Sequence, residues 1–150
     1  MKLESTQVGV AGEYFVAAEL SLRGYLASIT LRNTRGIDII ASTSDGALSV
    51  SIQVKANKSG KPIWILNKKS EDFHSPNHFY VFVALKNAGE KPDYYVVPSV
   101  DVADFTRRSH AEWLGGEKAD GSPRKDSSMR KFITISDSEY RDNWDALFGG

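Results

Sequence analysis

Apolar positions recur every three or four residues near the start of the chain. Val8, Ala11, Phe15, Ala18 and Leu22 fall on one face of a helix predicted over residues 8–23. Gly24 supplies its stop. Beyond it the period shortens. Residues 25–31 and 37–42 read as strands around the polar loop Arg32–Gly36. Thr43-Ser44-Asp45-Gly46 is a turn signal, because Asp-Gly tolerates the positive φ of tight hairpins. A longer strand follows over 47–56, then a loop over 57–62 rich in lysine and glycine, then a short strand over 63–66. FYVFVAL at 79–85 is a near-continuous apolar run, which suits a strand buried on both faces. The chain turns over 87–92 and returns as a strand over 93–97. A helix is predicted over 100–113, with Val100, Ala103 and Trp113 turned to the core. A loop over 115–128, a strand over 132–135 and a short helix capped by Ser136 or Asp137, ending near Phe148, complete the chain. This order predicts a single α/β domain over residues 1–150, with a central mixed β-sheet flanked by helices.

Composition changes this picture little. The chain has 150 residues, 41% hydrophobic and 25% charged, as in ordinary globular proteins. It has no cysteine, which excludes disulfides and thiolate zinc sites. Neither a secretory signal nor a membrane-spanning run is evident, so a cytoplasmic protein is expected. Nineteen basic residues balance nineteen acidic ones, so bulk charge would not hold it on nucleic acid. Local clusters remain: Lys55, Lys58, Lys61, Lys68 and Lys69 in one stretch, and Arg124, Lys125, Arg130 and Lys131 in another.

The hairpin carries the chemistry. If Asp45 and Gly46 are the two turn residues, paired positions sum to 91, and Asp38 faces Gln53 across the ladder. Lys55 projects from the same face as Gln53, while Ile52 and Val54 point the other way. A carboxylate, an amide oxygen and an ammonium group then meet at one strand end. The carboxylate and the amide oxygen, with the backbone carbonyl of Val54, suit a hard cation such as magnesium or manganese. Such a cation polarises a phosphate oxygen and makes hydroxide available. Lys55 is placed to orient the attacking water or to stabilise charge on the phosphate. A surface hairpin with ordinary polar residues is the alternative.

The segment GIDIIASTSDGALSVSIQVKAN resembles the core hairpin of the PD-(D/E)xK nuclease superfamily, the restriction-endonuclease-like group. Asp38 matches the family's first acid and Lys55 its lysine. Gln53 stands where the family usually has Glu or Asp, and Gly36-Ile37 where a proline often precedes the first acid. Many members carry a glutamate on a preceding helix, and Glu13 in GEYFVAAELSLRGY fits that element. The resemblance covers roughly residues 9–56. It implies a restriction-endonuclease-like core and a magnesium- or manganese-dependent endonuclease acting on DNA, with catalytic residues Glu13, Asp38, Gln53 and Lys55 and metal ligands Glu13, Asp38 and Val54. The rival reading is a nuclease-like domain without catalysis that binds nucleic acid or protein, with a sheet edge and the aromatic run 79–82 available to form a homodimer.

Other residues carry weaker expectations. Glu19 competes with Glu13, and its place inside the apolar stripe suits a paired, partly buried acid. Arg35, Lys58 and Lys61 are candidate phosphate contacts, with Arg32, Lys68 and Lys69 beside them. Trp64 follows the lysine-rich loop and is a candidate base-stacking platform, with core packing as its alternative. His74, His78 and His110 have no zinc spacing and are expected at the surface or its boundary.

Overall fold

The computed structural model describes residues 2–31 and 35–149. The first helix, α1, spans Ser5–Leu22. It starts earlier than the periodicity predicts because Glu4 and Gln7 form a capping box, in which Gln7 accepts from the Glu4 N–H at 2.9 Å. Gly24 ends it at φ +88°. The buried face is Gly12, Val16 and Leu20, not the predicted stripe. Phe15 is 38% exposed and Leu22 84%. The true row steps by four residues through a glycine, which hydrophobicity does not mark.

Five strands form the central sheet. β1 is Leu26–Ile29, β2 Ile39–Ser42, β3 Ser49–Asn57, β5 His78–Ala84 and β6 Asp93–Pro98, in the order β1-β2-β3-β5-β6. Only β3 and β5 run parallel. The remaining strands, β4 (Ile63–Asn67) and β7 (Met129–Ile133), pair with each other as a separate antiparallel ribbon.

Each face of the sheet has its own core. On one, Ile39, Ile52, Val81 and Val83 pack with Val16 and Leu20 of α1 and with Trp144 and Leu147 of a short 3-10 helix, Trp144–Phe148. That 3-10 turn stands where a final helix was predicted. On the other face, Tyr80, Phe82, Tyr95 and Val97 pack with Trp64, Leu66 and Phe132 of the ribbon and Val102 of the second helix, α2 (Ser99–Leu114). β5 is buried from both sides, as its apolar run predicts. Its aromatic residues therefore lie inside the fold and offer no edge for a partner chain.

α2 buries Ser99, Val102, Ala103 and Thr106. Val100 and Trp113, expected in the core, are 53% and 43% exposed. Two hydroxyl residues disguise the true stripe. Thr106 donates to the Val102 carbonyl (2.8 Å), and the Ser99 hydroxyl bonds both the N–H and the carbonyl of Ser75 (3.0 Å each). With those bonds made, burial of the hydroxyls costs little.

His78, expected near the surface, is 3% exposed at the start of β5. Its Nδ1 lies 2.7 Å from the Ser51 hydroxyl. Burial pushes its pKa below the ordinary 6.5, with Ser51 pulling the other way. Above pH 6.5 neither the folded nor the unfolded chain protonates it. As pH falls through 6.5 the unfolded chain takes up a proton that the fold resists, so stability declines. Thermal melts from pH 7.5 to 5.5 should show a falling Tm. That slope should be reduced in His78→Gln, and an equal slope in the variant would refute this assignment.

Candidate active site

The hairpin between β2 and β3 keeps the predicted register but not the predicted turn. Ile39 faces Ile52 and Ser42 faces Ser49, each pair summing to 91. The loop is wider than two residues: the Gly46 N–H donates to Thr43 (2.8 Å), and Thr43 N–H donates to Leu48 (3.0 Å). It has the same centre, so the register survives.

The register stops at Asp38, which does not sit across from Gln53. The Asp38 N–H donates to the Ile52 carbonyl at 2.8 Å, so Asp38 and Ile39 both oppose Ile52, the geometry of a β-bulge. Gly36, at φ +67°, supplies the bend just before it. As a result the carboxylate lies at the strand edge, where Oδ2 accepts from the Val54 N–H at 2.8 Å. In an extended strand the N–H and C=O of one residue point to the same side. The Val54 carbonyl therefore faces the same edge as the Asp38 carboxylate, beyond the last β2 pair.

Gln53 and Lys55 occupy the opposite face from Val54 and lie beside Tyr80 and Phe82 of β5. Burial pushes the Asp38 carboxyl above its ordinary range, against the Val54 N–H and the Lys55 charge, which lower it. Burial also pulls the Lys55 ammonium down, against Asp38, which raises it. Burial outweighs the attraction between the two groups in both cases, and a part-buried pair shifted in this way is enriched at functional sites.

Glu13 is half-buried on α1, one residue from Gly12, whose backbone lies close against β3. A Cβ at Gly12 would lie 2.6 Å from the Ala56 Cβ and 3.4 Å from Val54 Cγ1. This seats Glu13 level with the end of β3 that carries Lys55. Gly12→Ala should therefore push the helix outward. Overpacking of this kind costs about 1–3 kcal/mol, against a helix-propensity gain of about 1 kcal/mol. A lower Tm is expected, with recovery in Gly12→Ala/Ala56→Gly. A double variant no better than the single one would show that the contact is not the cause.

Glu19 is a paired, partly buried acid, bonded to Arg23 at 3.1 Å with Lys91 at 3.9 Å. Trp64 is a core residue and not the base-stacking platform expected: it is 2% exposed and donates from Nε1 to the Val83 carbonyl at 3.1 Å. Lys58 and Lys61 are exposed on the loop after β3, which Asn57 braces by donating to the Lys61 and Ile63 carbonyls (3.0 and 2.6 Å). Arg32 lies outside the described residues. Arg130 does not belong to a solvated basic face. It is 5% exposed and bonded to Glu71 at 2.6 Å.

A cavity of about 550 Å³ opens beside the strand end, with Gln53 and Lys55 in its wall. Arg35 and Lys69 add positive charge to its lining. Asn67, Asp72, Phe73 and Tyr80 also line it, with no motif or spacing in the chain to mark them. They come from the end of β4, the segment after it and the buried run of β5, and only the fold brings them to Lys55. Burial pushes the Tyr80 hydroxyl pKa up to about 12, so it remains protonated.

The donors fit a hard cation. The Asp38 carboxylate and the Val54 carbonyl are hard oxygen donors at one edge of β3, with the Gln53 amide on the face turned away from Val54 and Glu13 on the helix that packs against Val54. Among the described residues no three acidic or imidazole side chains gather as a metal cluster, so the set is poorer in charge than a three-carboxylate site.

No protein-family model and no curated protein matches the chain. Among solved structures, a bacterial homing endonuclease is similar over 99% of this chain and 94% of its own, at 13% identity and a TM-score of 0.56. The Holliday junction resolvase of Archaeoglobus fulgidus, an archaeal hyperthermophile, is similar over 83% of each chain, at 14% identity and a TM-score of 0.47. Among the described residues no helix is long and apolar enough to cross a membrane.

Proposed function

We propose that this chain, which has the restriction-endonuclease-like fold of PD-(D/E)xK nucleases, is a metal-dependent phosphodiesterase acting on nucleic acid, as an endonuclease on DNA. The observation that carries the reading is the bulge at Asp38. It turns a carboxylate to the strand edge against the Val54 N–H, while Lys55 stays close enough to bias its protonation. A purely structural hairpin gains nothing from two part-buried charges at its end.

Asp38, the Val54 carbonyl, Gln53 and Glu13 would hold magnesium or manganese, which when bound supplies a Lewis acid for phosphate oxygens and a source of hydroxide at neutral pH. Lys55, in the cavity wall, binds a phosphate oxygen and offsets the charge that develops as water attacks. Its part-buried position strengthens that contact relative to open solvent. Arg35 and Lys69 hold the flanking backbone. The Val54 N–H fixes the Asp38 carboxylate, so its remaining oxygen is oriented before substrate arrives.

Gln53 favours a second reading, a nucleic-acid-binding domain without catalysis, because a neutral amide holds a cation more weakly than a carboxylate. Incubation with plasmid and single-stranded DNA in magnesium or manganese separates the two. The phosphodiesterase reading expects cleavage that chelator abolishes and that Lys55→Met lowers about 100-fold. Intact DNA under every condition, with binding retained, would establish the second reading.

A further inference from the structure

We infer that the cavity beside Lys55 receives an unpaired nucleobase next to the phosphate held by Lys55, so that the preferred substrate is nucleic acid with an extruded or unpaired nucleotide. The inference rests on the phosphodiesterase reading and narrows its substrate class.

Shape is the first argument. The recess is concave, and its volume of about 550 Å³ lies in the range of small-ligand sites, ample for a base and its sugar. An intact duplex presents no group that could enter it. Reading of a stacked duplex needs an element that protrudes into a groove. Unpaired bases are instead taken up into pockets that stack their faces and bond their edges.

The lining is the second argument. Phe73 is 42% exposed at the cavity, and its ring meets His78 edge-on at 4.7 Å. Gly36 closes on the same ring: a Cβ there would lie 3.0 Å from Phe73 Cε1 and press the ring aside, and φ +67° also favours glycine. Asp72 stands next to Phe73. A recess built for phosphate alone has no use for a carboxylate, which repels it. The exocyclic amines of adenine, cytosine and guanine donate to one. The Gln53 side-chain amide supplies a further donor and acceptor, and Asn67, whose Oδ1 accepts from the Lys69 N–H at 3.1 Å, supplies its amino group as a donor.

Position is the third argument. Gln53 and Lys55 belong both to the cavity wall and to the catalytic strand end, so a base seated in the recess leaves its phosphate beside Lys55. The wall is also anchored. Glu71, just before Asp72, bonds Arg130 at 2.6 Å, and its carbonyl accepts from Arg107 at 2.9 Å. With nineteen charges of each sign, the chain has little bulk attraction for duplex DNA, and a local pocket compensates.

The test is fluorescence anisotropy in EDTA, where no cleavage occurs, with three labelled oligonucleotides: a perfect duplex, the same duplex with one bulged 2-aminopurine, and the same with an abasic bulge. The 2-aminopurine bulge should bind about tenfold tighter than the duplex, the usual size of base–aromatic stacking. Its emission should change on binding. The abasic bulge should lose that advantage. Phe73→Ala and Asp72→Asn should each reduce the ratio of bulge to duplex affinity, each variant being compared with its own duplex affinity. Equal affinity for all three oligonucleotides, an advantage kept by the abasic bulge, or a preference untouched by both substitutions would overturn the inference. Tight bulge binding without cleavage in magnesium would support it while refuting the phosphodiesterase reading. Cleavage with no preference among the three would do the reverse.

Discussion

Asp38→Asn is expected to lower DNA cleavage by about 100-fold or more, the scale on which loss of a charge-stabilising ligand acts, and to raise thermal stability. The two effects share one cause. Burial holds the Asp38 carboxyl pKa above its unfolded value, so at neutral pH its negative charge works against folding. The amide removes that charge, and its side-chain oxygen can still accept from the Val54 N–H. An ordinary surface aspartate would show neither effect. A site that gives up stability for chemistry shows both. Cleavage rates paired with thermal melts provide the check. Retained cleavage would remove Asp38 from the site, and a large drop in Tm would show the charge to be structural.

Gln53→Glu is expected to tighten manganese binding roughly tenfold, because affinity for hard cations follows the charge of the ligands. The new carboxylate would lie at the cavity wall next to Lys55, at the strand end that already carries Asp38. Cleavage at low metal concentration should rise in parallel. Calorimetric titration of both proteins measures the change. Unchanged affinity would mean that Gln53 does not face the cation.

These expectations depend on particular residues, and so does how far the sequence could foresee them. The pairing of β2 with β3 was legible because a hairpin's register is set by its centre, and the Asp45-Gly46 turn marks that centre even though the loop is wider than two residues. The bulge at Asp38 was not legible. It arises from one backbone bond to Ile52, which the alternation of polar and apolar residues does not encode. The buried row of α1 was hidden by Gly12, whose value lies in having no side chain. That of α2 was hidden by Ser99 and Thr106, whose polarity is cancelled by local bonds. Trp64 looked available because it follows lysines, yet its side chain meets Phe82 and Tyr95 in the core. Strand pairing across long separations, as between β4 and β7, left no local trace, and Asp72 and Phe73 reach the site through contacts of that kind.

The phosphodiesterase reading puts a divalent cation at the Asp38–Val54 edge of β3. Manganese broadens amide resonances near its binding site, so titration of the labelled protein followed by proton–nitrogen correlation spectra tests that claim most directly. The Asp38 and Val54 amides should broaden first, and Asp38→Asn should abolish the effect. Broadening that begins elsewhere, or that persists unchanged in Asp38→Asn, would contradict it.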